Sequence, residues 1–282
     1  MALFNKRIAK STKQRGLLDE SELIELRDAL GFEVAALVVP SRHRLQLAGT
    51  VGQQAQSDWR ASLCALDFPT VVSWHVDAQR SHFGLSVPLA TKQQRNAPAH
   101  VLADVAGEAE QIRSLIGHDG GMWSQADWCE HLAWMLGTQP EWPAVRERDV
   151  QVDTELVHHE DCVEALVMVA CGDDPENDVA ITALHAWVVR QANARMTVIA
   201  RPFDVGRGAK QVALVSVVAT TPEEATDWVS EVFLALPPVV RLWGRRARGR
   251  MAAHWWSSWP LGLWAFDEIK DGDIAAVRKA LA

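Results

Sequence analysis

The sequence predicts an α+β fold: two tandem βαββα units, ferredoxin-like in their element order, with antiparallel sheets and a tryptophan-rich helical finish. Three observations lead there. Runs of six to nine mostly apolar, β-branched residues lie between turn signals, as buried strands do. Capped helical segments separate them in the order strand, helix, strand, strand, helix, and that order occurs twice within 282 residues. An apolar content of 48% supplies a sizeable core. The expected division is a basic tail over 1–18, a first unit over 19–137, a linker over 138–150, and a second unit with the C-terminal helices over 151–282.

Residues 1–15, MALFNKRIAKSTKQR, hold five basic side chains and no acidic one, the composition of a mobile tail. DESELIELRDALG then reads as a helix started by Asp19 or Ser21 and stopped at Gly31. EVAALVV (33–39) and RLQLAGTV (44–51) read as strands, SDWRASLCAL (57–66) as a helix, and TVVSWHVD (70–77) and HFGLSVPL (82–89) as strands. APAHVLADVAGEAEQIRSLIG (97–117) reads as one long helix. SQADWCEHLAWML, capped by Ser124, adds another, with Trp128, Leu132 and Met135 on one face. The Pro-rich, charged TQPEWPAVRERD is the expected linker.

The second half follows the same order. DCVEALVMVAC (161–171) is a strand, DVAITALHAWVVRQAN (178–193) a helix, and RMTVIARPF (195–203) a strand. GRG (206–208) marks a hairpin, and QVALVSVVAT (211–220) is the next strand. TPEEATDWVSEVFLAL (221–236) is a helix opened by Thr221 as N-cap, Pro222 at the first position and Glu224 as the capping-box partner. The stretch RLWGRRARGRMAAHWWSSWPLGLWAF packs five Arg and five Trp into its 26 residues. On a helical wheel of ~100° per residue, Val239, Val240, Trp243, Ala247, Met251 and Trp255 share one side. Arg241, Arg245 and Arg248 lie opposite, with Arg246 and Arg250 flanking. This predicts a packed helix with a basic, partner-facing ridge; Arg241, Arg245, Arg246, Arg248, Arg250, Trp243, Trp255 and Trp256 are the candidate binding residues. The same pattern also suits an interfacial membrane helix or a local nucleic-acid contact.

Composition narrows the function classes. With 28 basic against 36 acidic residues the net charge is −8, which disfavours nucleic-acid binding over a broad surface. The four cysteines share no CxxC spacing and no secretory signal opens the chain, so free thiols in a reducing cytoplasm are expected. Apolar runs such as VEALVMVAC fall far short of the roughly 20 residues of a spanning helix. VGRGAK (205–210) lacks the spacing of a phosphate loop and joins two strands rather than a strand and a helix. VHHEDC offers His158, His159, Asp161 and Cys162 as metal-ligand types, but adjacent strand histidines point to opposite faces. The bland reading is a polar lead-in to a buried strand. His75 alternates with apolar neighbours and reads as a hydrogen-bonded core histidine. No cofactor is expected.

The segment 219–263 resembles the end of the amino-terminal domain of conjugation and type IV secretion ATPases, and more closely their actinobacterial non-ATPase relatives. The matching features are the acidic helix start at Glu223 and Glu224, the element Leu242-Trp243-Gly244 and the turn Pro260-Leu261-Gly262. The resemblance implies a stand-alone adaptor: a non-enzymatic scaffold on the cytoplasmic side of a secretion or conjugation machine, either free in the cytoplasm or peripheral at the membrane. Its partners would be proteins, such as a secretion ATPase or a membrane subunit. Two alternatives stand beside it. One is a metal-dependent hydrolase using His158, His159, Asp161 and Cys162. The other is a peripheral membrane or nucleic-acid binder using Arg241–Arg250.

Overall fold

The computed structural model describes residues 21–28, 30–136, 151–171, 175–201, 210–248 and 251–259. The expected tail, linker and GRG hairpin lie outside these residues, as do Arg250 and Pro260-Leu261-Gly262. The described strands are β1 (Glu22–Arg27), β2 (Glu33–Val39), β3 (Arg44–Thr50), β4 (Val71–Val76), β5 (Ser81–Pro88), β6 (Gly121–Met122), β7 (Gln151–Val152), β8 (Val157–His158), β9 (Val163–Cys171), β10 (Ala194–Arg201), β11 (Lys210–Ala219) and β12 (Gly244–Arg246). They form one antiparallel sheet in the order β1-β2-β3-β5-β4-β10-β11-β9-β8-β7, with β6 on β3 and β12 on β9.

This corrects the expected fold of two ferredoxin-like units with separate sheets. β4 and β10, which would each have been an edge, pair with one another from Val72↔Ala200 to Val76↔Met196. An edge of buried apolar strand leaves a row of backbone groups unpaired. Joining the two edges satisfies both rows.

The same demand corrects the N-terminal helix. ELIELR forms β1 and runs antiparallel to β2 from Glu22↔Val38 to Arg27↔Glu33. The loop between them is fixed by Asp28, whose Oδ1 accepts from the amides of Leu30 and Phe32, both at 2.9 Å. Gly31 there sits at φ +85°, where a side chain would be strained.

Helices cover both faces. On one face pack α1 (Trp59–Cys64), α3 (Pro98–Gly107), α4 (Ala109–Ile116), α6 (Pro175–Val188) and α7 (Pro222–Ala235). Their buried residues, such as Leu63, Leu102, Ile112, Leu184 and Val232, meet Val72, Leu85, Val167, Val198 and Val215 in one continuous core. α2 (Lys92–Asn96) precedes α3, started by a Thr91–Gln94 capping box. The single helix expected over 97–117 is broken between Gly107 and Ala109. The opposite face carries α5 (Gln125–Leu136) and α8 (Met251–Ser257). Trp128, Leu132, Met251, Trp255 and Trp259 pack there against Ala35, Leu37 and Leu166. Strand alternation sends Val34, Ala36 and Val38 to the first core and Ala35, Leu37 and Val39 to the second. Gly49 on β3 lies so close under the Phe83 ring that any Cβ would collide with it.

The long arginine-bearing helix over Val239–Trp255 is not formed. Val240–Trp243 is a 3₁₀ turn, Gly244–Arg246 is β12, and α8 begins only at Met251. β8 covers the edge of β9 only at Val163 and Glu164. β12 takes over at Val167–Val169, so hydrogen-bond demand at that edge outweighs helical periodicity.

α7 starts as the sequence indicates: the Thr221 hydroxyl accepts from the Glu224 amide at 3.2 Å. The Glu224 carboxylate reaches one residue further back, to the amide of Thr220 at 2.8 Å and its hydroxyl at 2.6 Å. Thr221→Ala is expected to cost about 1 kcal/mol, read as a lower urea midpoint with an unchanged slope. Thr221→Ser should be nearly neutral.

Candidate ligand-binding site

Between α5 and α8 the second face of the sheet carries polar side chains where an apolar core would be expected. Gln46, Ser73, His75, His82, Ser86, Glu164, Arg195, Thr197 and Ser216 are all buried. Register puts them side by side: Thr50 opposite His82, His82 opposite His75, His75 opposite Thr197, and Arg195 opposite Ser216. Cross-strand neighbours on one face are close enough to hydrogen-bond.

Thr197 donates its only hydroxyl proton to the Ser258 carbonyl. The 2.8 Å contact between His75 Nδ1 and Thr197 Oγ1 therefore has the imidazole as donor, which fixes the Nδ1–H tautomer. Burial, with Arg195, His82 and His131 nearby, holds the His75 pKa well below the usual imidazole range. Thr50 accepts from Trp123 Nε1 at 3.1 Å and meets His82 Nδ1 at 3.3 Å. The His82 ring stands edge-on to His131, centroids 4.4 Å apart. Burial drives the His82 pKa down to about 4. Burial, then His82, Arg80 and Arg195, drives that of His131 to about 3. These imidazoles are neutral at pH 7.

Glu164 anchors the other end. Its Oε1 accepts from Arg195 Nη2 at 2.5 Å and from the Ser216 hydroxyl. Its Oε2 accepts from Trp255 Nε1 at 3.0 Å and meets His159 Nε2 at 3.3 Å. Burial alone would raise its pKa. The Arg195 charge and the hydrogen bonds from His159 and Ser216 outweigh burial and bring it to about 2.

A cleft of about 880 Å³ opens over this network at one end of the sheet. Its walls are the β4–β5 turn (Asp77 to Arg80), Glu130 and His131 of α5, the β8–β9 connection (His159 to Cys162), and Ala192 and Asn193 before β10. Glu164 and Arg195 also line it. Five carboxylates therefore face two guanidiniums.

The predicted metal ligands divide. His158 turns to Asp153, at 2.8 Å, while His159 turns to Glu164. Asp161 and Cys162 line the cleft beside His159, and burial raises the Cys162 thiol pKa, with Glu164 and Asp161 adding to the effect. Among the described residues no three His, Cys, Asp or Glu side chains are placed to hold a metal ion.

The arginines are dispersed as well. Arg241 caps the end of α7, donating to the carbonyls of Leu236 at 2.9 Å and Leu234 at 3.0 Å. Arg246 and Arg248 both approach Glu155, at 3.8 and 3.3 Å. Arg245 is exposed on β12. Trp243 ends the 3₁₀ turn. Trp255 is buried and Trp256 half-buried, their rings in contact at 5.0 Å. Among the described residues no helix is long and apolar enough to cross a membrane.

Sequence reasoning passed over Glu164, Arg195 and Arg80, and His131 stood out no more than the other scattered histidines. One signal was present: Glu164 is the lone charge in VEALVMVAC, on the face shared with Leu166 and Met168.

No family model and no curated protein matches the chain. Among solved structures, similarity is found to a BBE-like 1 protein of Physcomitrella patens. The TM-score is 0.39 and the identity 10%, over 94% of this chain and 63% of that one. A flavoenzyme of caerulomycin biosynthesis gives a TM-score of 0.33 and 12% identity over 77% and 56% of the two chains. The xylooligosaccharide oxidase of Myceliophthora thermophila gives 0.35 and 10% over 78% and 54%. The chain thus spans less than two thirds of each of these proteins, and at such scores neither cofactor nor activity carries over. The expected secretion scaffold is corrected on the chain's own geometry: the long basic, partner-facing helix it was built on is replaced by a 3₁₀ turn, β12 and the short α8.

Proposed function

We propose that the chain is a binding module that takes an organic cation, such as an amine or a guanidinium, in the cleft above Glu164 and Arg195. The carrying observation is the imbalance of fixed charge there: five carboxylates against two guanidiniums in a walled cleft. Glu164 and Arg195 neutralise one another, leaving Asp77, Glu130, Glu160 and Asp161 against Arg80. The neighbouring His131 adds no positive charge at neutral pH. A walled cleft of one sign concentrates ions of the other.

Bond-making is less well supported by the same groups. A general base works best with a pKa near the operating pH. Glu164 and His131 lie far below that, and the Cys162 thiol is raised rather than activated.

Titration calorimetry with spermidine and with L-arginine at low salt is expected to show saturable binding that weakens as salt rises. The double variant Glu160→Gln, Asp161→Asn is expected to lose at least tenfold in affinity, about 1.4 kcal/mol. Absence of saturation with both probes, or equal binding by the variant, overturns the proposal.

A further inference from the structure

The β4–β5 turn that walls the cation cleft also walls a second cleft on the opposite face, of about 780 Å³, reached between α1 and α6. Arg60 of α1, Trp59, Arg80 and His185 of α6 line it. Arg60 is part-buried and its guanidinium lies 5.3 Å from the Trp59 ring and 5.8 Å from the Trp74 ring. Its Nε is buried and makes no hydrogen bond, and no carboxylate pairs with it among the described residues. The two acids in this cleft turn to backbone amides and make no ion pair with Arg60. Asp119 accepts from the amide of Gln53 at 2.8 Å, and Asp77 accepts from the amides of Gln79 and Arg80, both at 2.7 Å.

A guanidinium withdrawn from water without a counter-charge is unfavourable, and attraction to the indole faces recovers only part of that loss. Burial lowers the Arg60 pKa, yet an arginine stays charged at neutral pH. The same positive field, after burial, lowers the His185 pKa across the cleft. We infer that the Arg60 cleft is an oxyanion site, occupied by a phosphate or carboxylate group that supplies the missing counter-charge. The oxyanion is either free or the end of a larger molecule. A flat guanidinium offers it paired, parallel N–H donors, and Trp59 walls the approach.

The test uses the whole chain, with chloride adjusted to hold ionic strength constant. Titration with inorganic phosphate is expected to shift the Arg60 Nε–H resonance saturably and to raise the melting temperature. Arg60→Met, which keeps an apolar stem beside the tryptophans, should abolish both responses while leaving spermidine binding in the other cleft unchanged. Without phosphate this variant should melt no lower than the parent, because an unpaired charge has been removed. Adenosine monophosphate run in parallel identifies the source: tighter binding than phosphate assigns the end of a larger molecule, equal binding a free oxyanion. The inference is overturned if phosphate leaves the resonance and the melting temperature unmoved. It is also overturned if Arg60→Met responds like the parent, or if that variant, while folded, melts well below the parent in phosphate-free buffer.

Discussion

Arg195→Met is expected to lower the unfolding free energy by about 3–5 kcal/mol, a large share of the 5–15 kcal/mol typical of a domain. Arg195 supplies the charge that keeps the buried Glu164 ionised. Without it, Glu164 retains hydrogen bonds from Ser216, His159 and Trp255 but stands as an uncompensated charge in the core. The expected readout is a large drop in urea midpoint. Adding Glu164→Gln removes the stranded charge and keeps an acceptor for Trp255, so the double variant should recover most of the loss. A strictly additive double variant would show that the two side chains are not energetically coupled. Below about pH 4.5 the folded and unfolded states part company over Glu164 itself. Its folded pKa of about 2 is depressed from 4.5. The stability it contributes is therefore present above pH 4.5 and lost as pH falls toward 2.

The second large effect sits higher on the pH scale. Stability is expected to fall steadily as pH drops below 6.5, before any carboxylate is titrated. His82 and His131 have folded pKa values of about 4 and about 3 against 6.5 when exposed. Between those limits the unfolded chain binds more protons than the folded one, so stability rises with pH. The contribution is complete above 6.5 and is lost as pH falls through the folded values. Between pH 6.5 and 5 each of the two should cost about 1.6 kcal/mol, with His75 adding in the same direction. Urea midpoints at pH 7, 6 and 5 measure this. His131→Phe should flatten the profile. A midpoint unchanged from pH 7 to 5 would mean that these imidazoles are not held neutral.

What could be read from the sequence was local. The strand expected over 161–171 and the cap at Thr221 depend on residues within a few positions of one another; the strand forms over Val163–Cys171 and the cap forms as expected. The segment ELIELR suits a helix or a strand equally, and only the need of β2 for a partner decides it. The wheel drawn over 239–255 was internally consistent but ignored the exposed edge of β9, a feature some 70 residues earlier in the chain. The joining of β4 to β10 is also non-local, since Trp74 and Val198 carry no mark of their pairing. The candidate cleft suffered most. Glu164 stood out as a charge in an apolar run, but its partners Arg195, Ser216 and Trp255 lie 31, 52 and 91 positions away.

The ladder between Val72–Val76 and Met196–Ala200 also fixes how the molecule can deform. Pulling the two halves apart along that line would break paired backbone groups, so the halves are expected to unfold together as one cooperative unit. The cleft lined by the β4–β5 turn and by Arg195 therefore draws its walls from the two sides of one continuous sheet.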